Sequence, residues 1–248
     1  MLMAGDIQRA LDPSRLMRDA GITPDPWQAK LLRERPKRAL LLCCRQSGKT
    51  ETAIFLALWT ALFEPGALVL IVSPSQRQSA EVFRRLMIQY SKLQGVPELT
   101  QESALRAELG NGSRIVALPG SERTVRGYTG ARLIVLDEAA RVDDALLAAL
   151  RPSMAVVNGS LIMLSTPFGK RGEFFRAWSE GQGWTRVSVP ASACPRISQE
   201  FLDDERRELG AMRYSEEYEL AWLEDTEAVF PVAIVDRAFT DKIQPLWR

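Results

Sequence analysis

A central, mostly parallel β-sheet flanked by helices is the fold class this sequence predicts, on three observations. Four apolar runs of strand length, at 38–44, 67–72, 132–136 and 160–165, lack the polar alternation of a half-exposed strand, as expected of parallel strands covered on both faces. Segments of helical length and periodicity separate most of these runs. Such alternation of strand and helix is the pattern of right-handed crossovers in an α/β sheet.

Taken in order, residues 1–35 read as two short amphipathic helices around the break Gly21-Ile22-Thr23-Pro24-Asp25-Pro26, with Trp27, Leu31 and Leu32 at helical spacing afterwards. The first buried strand, 38–44, leads through a polar loop at 45–48 to a helix over 49–63, which stops at Glu64-Pro65-Gly66. The second, 67–72, leads through Ser73-Pro74-Ser75 to a long helix ending near Leu93. Residues 105–118 differ: Asn111-Gly112 between two short strand-like pieces is a hairpin signal. The strand at 132–136 closes on Asp137-Glu138, a helix covers about 143–150, and a strand follows at 160–165. Past Gly183 come one more strand (185–189), a polar, acidic helical region from Ser198 to about Glu224, and a mixed tail in which Phe230-Pro231 resembles a linker.

Composition narrows the function classes. At 248 residues the chain is one large domain, or one domain with a small appendage. Lys+Arg 32 against Asp+Glu 31 leaves a net charge of +1, so any nucleic-acid contact has to be a local patch. Three cysteines without metal-ligand spacing, and no histidine, argue against a zinc site and exclude a histidine-based triad. The sparse cysteines suit a reducing cytosol. The N-terminus lacks a signal-peptide pattern, and no apolar run is long enough to span a membrane.

Two motifs carry chemistry. Cys43-Cys44-Arg45-Gln46-Ser47-Gly48-Lys49-Thr50, between a strand and a helix, matches the phosphate-binding loop G-x-x-x-x-G-K-[ST] except at its first position, where Cys43 replaces glycine. Backbone N–H groups at the helix start would face phosphates, Gly48 permits close approach, Lys49 supplies a point charge and Thr50 a hydroxyl for Mg²⁺. Arg45 reads either as a solvated loop residue or as a phosphate contact. The second motif is Asp137-Glu138 at a strand end, 88 residues beyond Lys49. Such a site needs one carboxylate for Mg²⁺ (Asp137) and a base to orient the attacking water (Glu138). The bland alternatives are a chance Gly-Lys-Thr at a helix start and an acidic helix start favoured by the dipole.

With these motifs in place, the chain resembles the ATPase domain of the phage terminase large subunit, and more distantly the superfamily-two helicases. Residues 44–50 look like that family's variant Walker A, Leu136-Asp137-Glu138-Ala139-Ala140 like its Walker B, Ser165-Thr166-Pro167 like its coupling motif, and Pro26-Trp27-Gln28 like its adenine-recognition segment. The resemblance implies a P-loop NTPase of the ASCE type, with ATP as substrate and Mg²⁺ as cofactor. It gives ATP contacts to Trp27, Gln28, Arg45, Gln46, Ser47, Gly48, Lys49 and Thr50, and γ-phosphate sensing to Ser165 and Thr166. It points to Arg126 as an arginine finger reaching a neighbouring subunit's site, with Arg45 acting within its own subunit as the competing assignment.

The implied domains are an ATPase core with its adenine-binding segment at 1–183, and a small lid with a linker at 184–248. Complete relatives continue into a nuclease domain; Asp236 and Asp241 cannot assemble its metal site, so ATPase without DNA cleavage is expected. Implied partners are double-stranded DNA, a portal protein, a small terminase subunit and further copies in a ring, with no membrane, in the cytoplasm of an infected host cell. Arg77, Arg84, Arg85, Lys170 and Arg171 are the candidate DNA contacts. The alternatives are a helicase-like remodeller, for which the chain leaves no room for a second motor domain, and a nucleotide-gated binding module, which would lack the base that Glu138 provides.

Overall fold

The computed structural model describes residues 4–121 and 125–224. Its centre is an eight-stranded sheet in the order β3-β4-β5-β2-β6-β7-β1-β8. The strands are β1 (Arg38–Cys43), β2 (Leu68–Ser73), β3 (Leu99–Glu102), β4 (Arg106–Leu109), β5 (Arg114–Pro119), β6 (Ala131–Asp137), β7 (Ser160–Ser165) and β8 (Thr185–Val189). Six of them run parallel; β3, β4 and β5 are joined antiparallel at one edge. Every residue of β2 is buried, and because successive side chains alternate sides, both of its faces are covered.

The helices are α1 (Ala4–Leu11), α2 (Ser14–Asp19), α3 (Pro26–Glu34), α4 (Lys49–Phe63), α5 (Gln76–Lys92), α6 (Asp144–Leu150), α7 (Gly172–Ser179) and α8 (Gln199–Glu217). α4 follows β1 and is buried on nearly all sides, as its apolar run Ala53–Leu58 requires. Ser75, Asp143 and Ser198 cap α5, α6 and α8 by accepting backbone N–H groups with their side-chain oxygens. Asn111, in the hairpin loop between β4 and β5, donates its amide to Ala61 O at 2.8 Å, fastening the hairpin to the end of α4.

Several elements depart from the sequence reading. Residues 4–35 hold three helices rather than two, because Pro13 has no N–H to continue α1 and Asp12 accepts from both the N–H and the hydroxyl of Ser14. The edge strand β3 was not expected, and neither was α7, whose Phe174 and Phe175 pack against Trp222. β8, which the boundary at 183 assigns to the lid, pairs in parallel with β1 as a strand of the main sheet. The expected acidic helix stops at Glu217, and Gly210 (φ 75°) breaks α8 into two pieces with a backbone that glycine adopts without strain. The 225–248 tail, with Phe230-Pro231, Asp236 and Asp241, lies outside the described residues.

The register places the site. Leu42 pairs with Ser165, Asp137 with Leu164, and Cys43 with Val189, so the ends of β1, β6, β7 and β8 reach one edge together. That is the carboxyl edge, where crevices form in open α/β sheets as successive connections diverge.

Candidate nucleotide site at the carboxyl edge

The loop 44–48 begins where β1 ends. Cys43, in place of the first motif glycine, is still a strand residue: fully buried, paired with Val189, its thiol pushed up to about 12 by burial. The side chain there is enclosed beside the loop, within hydrogen-bonding reach of Ser47. Ser47 is buried and donates its hydroxyl to Cys44 O at 2.8 Å, which closes the loop. Gln46 (φ 59°) and Gly48 (φ 87°) take left-handed conformations. At φ 87° a side chain at position 48 would be strained, and its Cβ would also meet Gln28 Nε2 at 2.7 Å. Lys49 and Thr50 open the 15-residue α4, whose first N–H groups have no intrahelical partner and attract anions.

Asp137 ends β6 and is 6% exposed; Glu138 follows it in a left-handed conformation (φ 50°, ψ 44°). Lys49 Nζ lies 3.3 Å from Glu138 Oε1, and the Thr50 hydroxyl 3.5 Å from Asp137 Oδ1. Ser165, at the end of β7, donates to Glu138 Oε2 at 3.4 Å. Thr166, almost fully buried, is hydrogen-bonded to the Arg141 guanidinium at 3.0 Å. These groups surround a cleft of about 440 Å³ lined by Arg45, Gln46, Lys49, Gln78, Glu138, Arg141 and Thr166. Among the described residues no cluster of three or more metal-binding side chains occurs. The donor set of Thr50 and Asp137, two hard oxygens beside a phosphate loop, fits a Mg²⁺ ion that takes its remaining ligands from nucleotide and water.

Burial pushes the Asp137 carboxyl up to about 6, the charge of Glu138 adds to this, and Lys49 only partly opposes it. The folded value exceeds the ordinary 3.8, so in the nucleotide-free chain the folded state favours the protonated form. That contribution to stability is fully present below about pH 4 and is lost as pH rises through about 6, leaving a cost of ~3 kcal/mol at pH 8. Asparagine stays neutral and can still accept from the Glu138 N–H and the Thr50 hydroxyl. Asp137→Asn is therefore expected to raise Tm at pH 8 by several degrees, at about 2–4 °C per kcal/mol, with the gain fading toward pH 4. Thermal melts across that range without nucleotide check it; an equal Tm at every pH would show that the buried carboxylate carries no penalty.

The adenine segment lies on the other side of the loop. Gln28 is buried, and its amide is committed internally: Oε1 accepts from Asp25 N at 2.8 Å, and Nε2 donates to Thr52 Oγ1 at 2.9 Å and Gly48 O at 3.2 Å. A base contact by Gln28 requires these bonds to be exchanged. Trp27 is half-buried, and its indole N–H is enclosed without a protein acceptor. Arg126 is exposed and is not among the residues lining the cleft. Arg45 lines it, but its guanidinium makes a two-pronged ion pair with Glu217 at 2.9 and 3.0 Å. Of the basic candidates, Arg84 pairs with Glu81, Arg85 with Glu51 and Lys170 with Glu224, Arg171 stacks on Phe168, and Arg77 is exposed in the first turn of α5.

The structure also brings in residues that no local signal revealed. Arg141 hydrogen-bonds Glu138, Thr166 and Glu217, and Arg196 reaches Asp25 and the Ser47 carbonyl of the loop. Both arginines sit in ordinary polar stretches, and most of these partners are remote in sequence.

Comparison with known proteins matches residues 40–236 to the family described as terminase large subunit, T4likevirus-type, N-terminal. The terminase large subunit of Thermus phage G20c is 28% identical over 203 residues, covering 73% of this chain and 41% of the relative; the chain thus spans less than half of that protein's length. The fold is that of the large terminase ATPase domain of Thermus phage P74-26 (TM-score 0.75, 20% identity, 86% of this chain and all of that one). The large terminase of the thermophilic bacteriophage D6E in complex with ADP is also similar (TM-score 0.64, 12% identity, 87% of this chain and 53% of that one). With four-fifths of the chain's length inside the matched segment and the phosphate loop and acidic pair both within it, this protein belongs to the terminase large subunit family.

Proposed function

We propose that this chain is the ATP-hydrolysing motor part of a terminase large subunit, which drives double-stranded DNA into procapsids. The observation that carries the reading is the convergence of Lys49, Thr50, Asp137 and Glu138 at the carboxyl edge of one sheet. Loop residues 45–48 and the start of α4 cradle the phosphates through backbone N–H groups, and Lys49 leaves Glu138 to hold the β- and γ-phosphates. Thr50 and Asp137 would hold Mg²⁺, which would supply neutralisation of phosphate charge when bound. Glu138 accepts a hydrogen bond from the attacking water and orients it in line with the γ-phosphorus. Ser165 and Thr166, one strand away, register loss of the γ-phosphate. Trp27 and Gln28 contact the adenine, and the D6E terminase bound to ADP supports a nucleotide in this fold.

The lid in this reading starts after β8 and centres on α8, because β8 itself belongs to the sheet. Double-stranded DNA contacts Arg77, Arg84, Arg85, Lys170 and Arg171; portal protein, small terminase subunit and a ring of copies complete the machine in the cytoplasm of the infected host cell. Among the described residues no helix is long and apolar enough to cross a membrane.

ATP turnover per subunit over a wide range of protein concentration, with and without double-stranded DNA, tests the reading. Turnover that climbs with concentration and is stimulated by DNA at low salt, with the stimulation weakening steeply as salt rises, is the expected result. Measurable ATP binding with no turnover under any of these conditions would instead leave a nucleotide-gated module.

A further inference from the structure

The Arg141 guanidinium joins three parts of the molecule. It lies at the end of a short 3₁₀ turn (Ala139–Arg141) that starts at Glu138, and Arg141 N donates to Glu138 O at 2.9 Å. Nη1 donates to Glu138 Oε2 at 3.1 Å and to Thr166 Oγ1 at 3.0 Å; Nη2 reaches Glu217 Oε1 on α8 at 3.4 Å. Its plane also stacks on the Phe168 ring at 4.6 Å. The loop that carries Phe168 is stitched to the same part of the lid: Gly169 N donates to Glu216 Oε1 at 3.2 Å and Lys170 N to Leu223 O at 3.1 Å.

The charges show why this matters. Glu138 is shared between Lys49 and Arg141. A triphosphate entering the cleft draws Lys49 to itself, because ammonium–phosphate attraction at the loop exceeds that of a single carboxylate. Arg141 then remains as the cation holding Glu138. Its own position is set by Glu217, which is mostly buried and also ties Arg45 of the phosphate loop. Burial pushes the Glu217 carboxyl up, but the hydrogen bond and charge of Arg45, then Arg141 and Thr166, outweigh it and keep it below the ordinary carboxylate value, so it stays an anion at neutral pH.

Resting on the reading of Glu138 as the base, we propose that Arg141 is a positioning residue that makes hydrolysis conditional on lid placement: Glu217 and Thr166 fix its guanidinium, and the guanidinium fixes the Glu138 carboxylate. A lid that swings away removes Glu217, releases Arg141 and lets Glu138 drift from the line of attack. A displacement of this kind, of order 1 Å, is enough to lower a rate about 10²-fold.

The test measures kcat together with the affinity for a fluorescent ATP analogue, on the whole chain. Arg141→Gln is expected to lower kcat about 10²-fold with nucleotide affinity within about threefold, since the residue acts after binding. Arg141→Lys should recover only part of the loss, because it returns the charge without the planar fork. Glu217→Gln alone should lower kcat about tenfold and add less than about twofold in the Arg141→Gln background, as residues acting through one contact are non-additive. Full effects that multiply, or Arg141→Gln with unchanged kcat, overturn the proposal. A tenfold or greater loss of nucleotide affinity also overturns it, by making Arg141 a phosphate ligand. Glu138→Gln separates the levels: if it abolishes turnover while Arg141→Gln does not, only the positioning role falls; if Glu138→Gln leaves turnover intact, the base assignment falls and the positioning role with it. Matching thermal melts of Arg141→Gln and Arg141→Lys exclude misfolding as the cause of a loss.

Discussion

Glu138→Gln is expected to lower ATP turnover about 10³-fold while ATP affinity changes only a few-fold, the range for loss of a positioned base. The amide has nearly the same shape but no charge, so it holds a water less firmly and cannot take up its proton. Without nucleotide, the substitution also removes the carboxylate from Lys49 at 3.3 Å and Arg141 at 3.1 Å. Lys49 is then freer for phosphate, so affinity for ATP should hold or rise. Steady-state turnover beside an equilibrium titration with a fluorescent ATP analogue checks both halves. A loss of binding equal to the loss of rate would mean that Glu138 shapes the loop rather than the chemistry. Unchanged turnover would remove it from the mechanism.

Arg126→Ala carries the other large expected effect, a loss of about 10³–10⁵ in turnover, because an arginine finger neutralises charge that appears only in the transition state. Arg126 does not line the cleft, and the two arginines that do are held within it: Arg45 by Glu217, and Arg141 by Glu138, Thr166 and Glu217. Mixing subunits distinguishes the assignments. Arg126→Ala subunits have intact cleft residues, whereas Glu138→Gln subunits have an intact finger, so a mixture of two inactive variants should regain turnover if the finger acts across subunits. No recovery, together with a comparable loss in Arg45→Ala, would assign the finger to Arg45 within its own subunit.

Much of this arrangement could be read along the chain, for a local reason. A buried parallel strand must be apolar on both faces, so 67–72 and 160–165 announce themselves as uninterrupted runs. The boundaries of α4 follow from Gly48 at one end and Glu64-Pro65-Gly66 at the other. Phosphate loop and acidic pair are likewise contiguous signals at strand ends. Other elements leave a weaker local signal: α7 lies behind Gly169-Lys170-Arg171-Gly172, and β3 is a short, exposed edge strand with little apolar content. A boundary at 183 follows the change of character in the sequence, whereas β8 is joined to the sheet by hydrogen bonds to β1, whose paired residues lie 146 positions away.

Strand–helix alternation, the phosphate-loop motif and the groups at the strand ends are legible along the chain, because each depends on neighbours in it. It takes the folded arrangement to place β7 between β1 and β6 with Ser165 beside Glu138, to commit the Gln28 amide to Asp25, Gly48 and Thr52, and to bring Arg141 to Glu217 across 76 positions. Hydrogen bonds and ion pairs act over a few ångströms of space whatever the separation along the chain, so such partners are set by the register of the sheet and the docking of α8, which no short stretch of sequence contains.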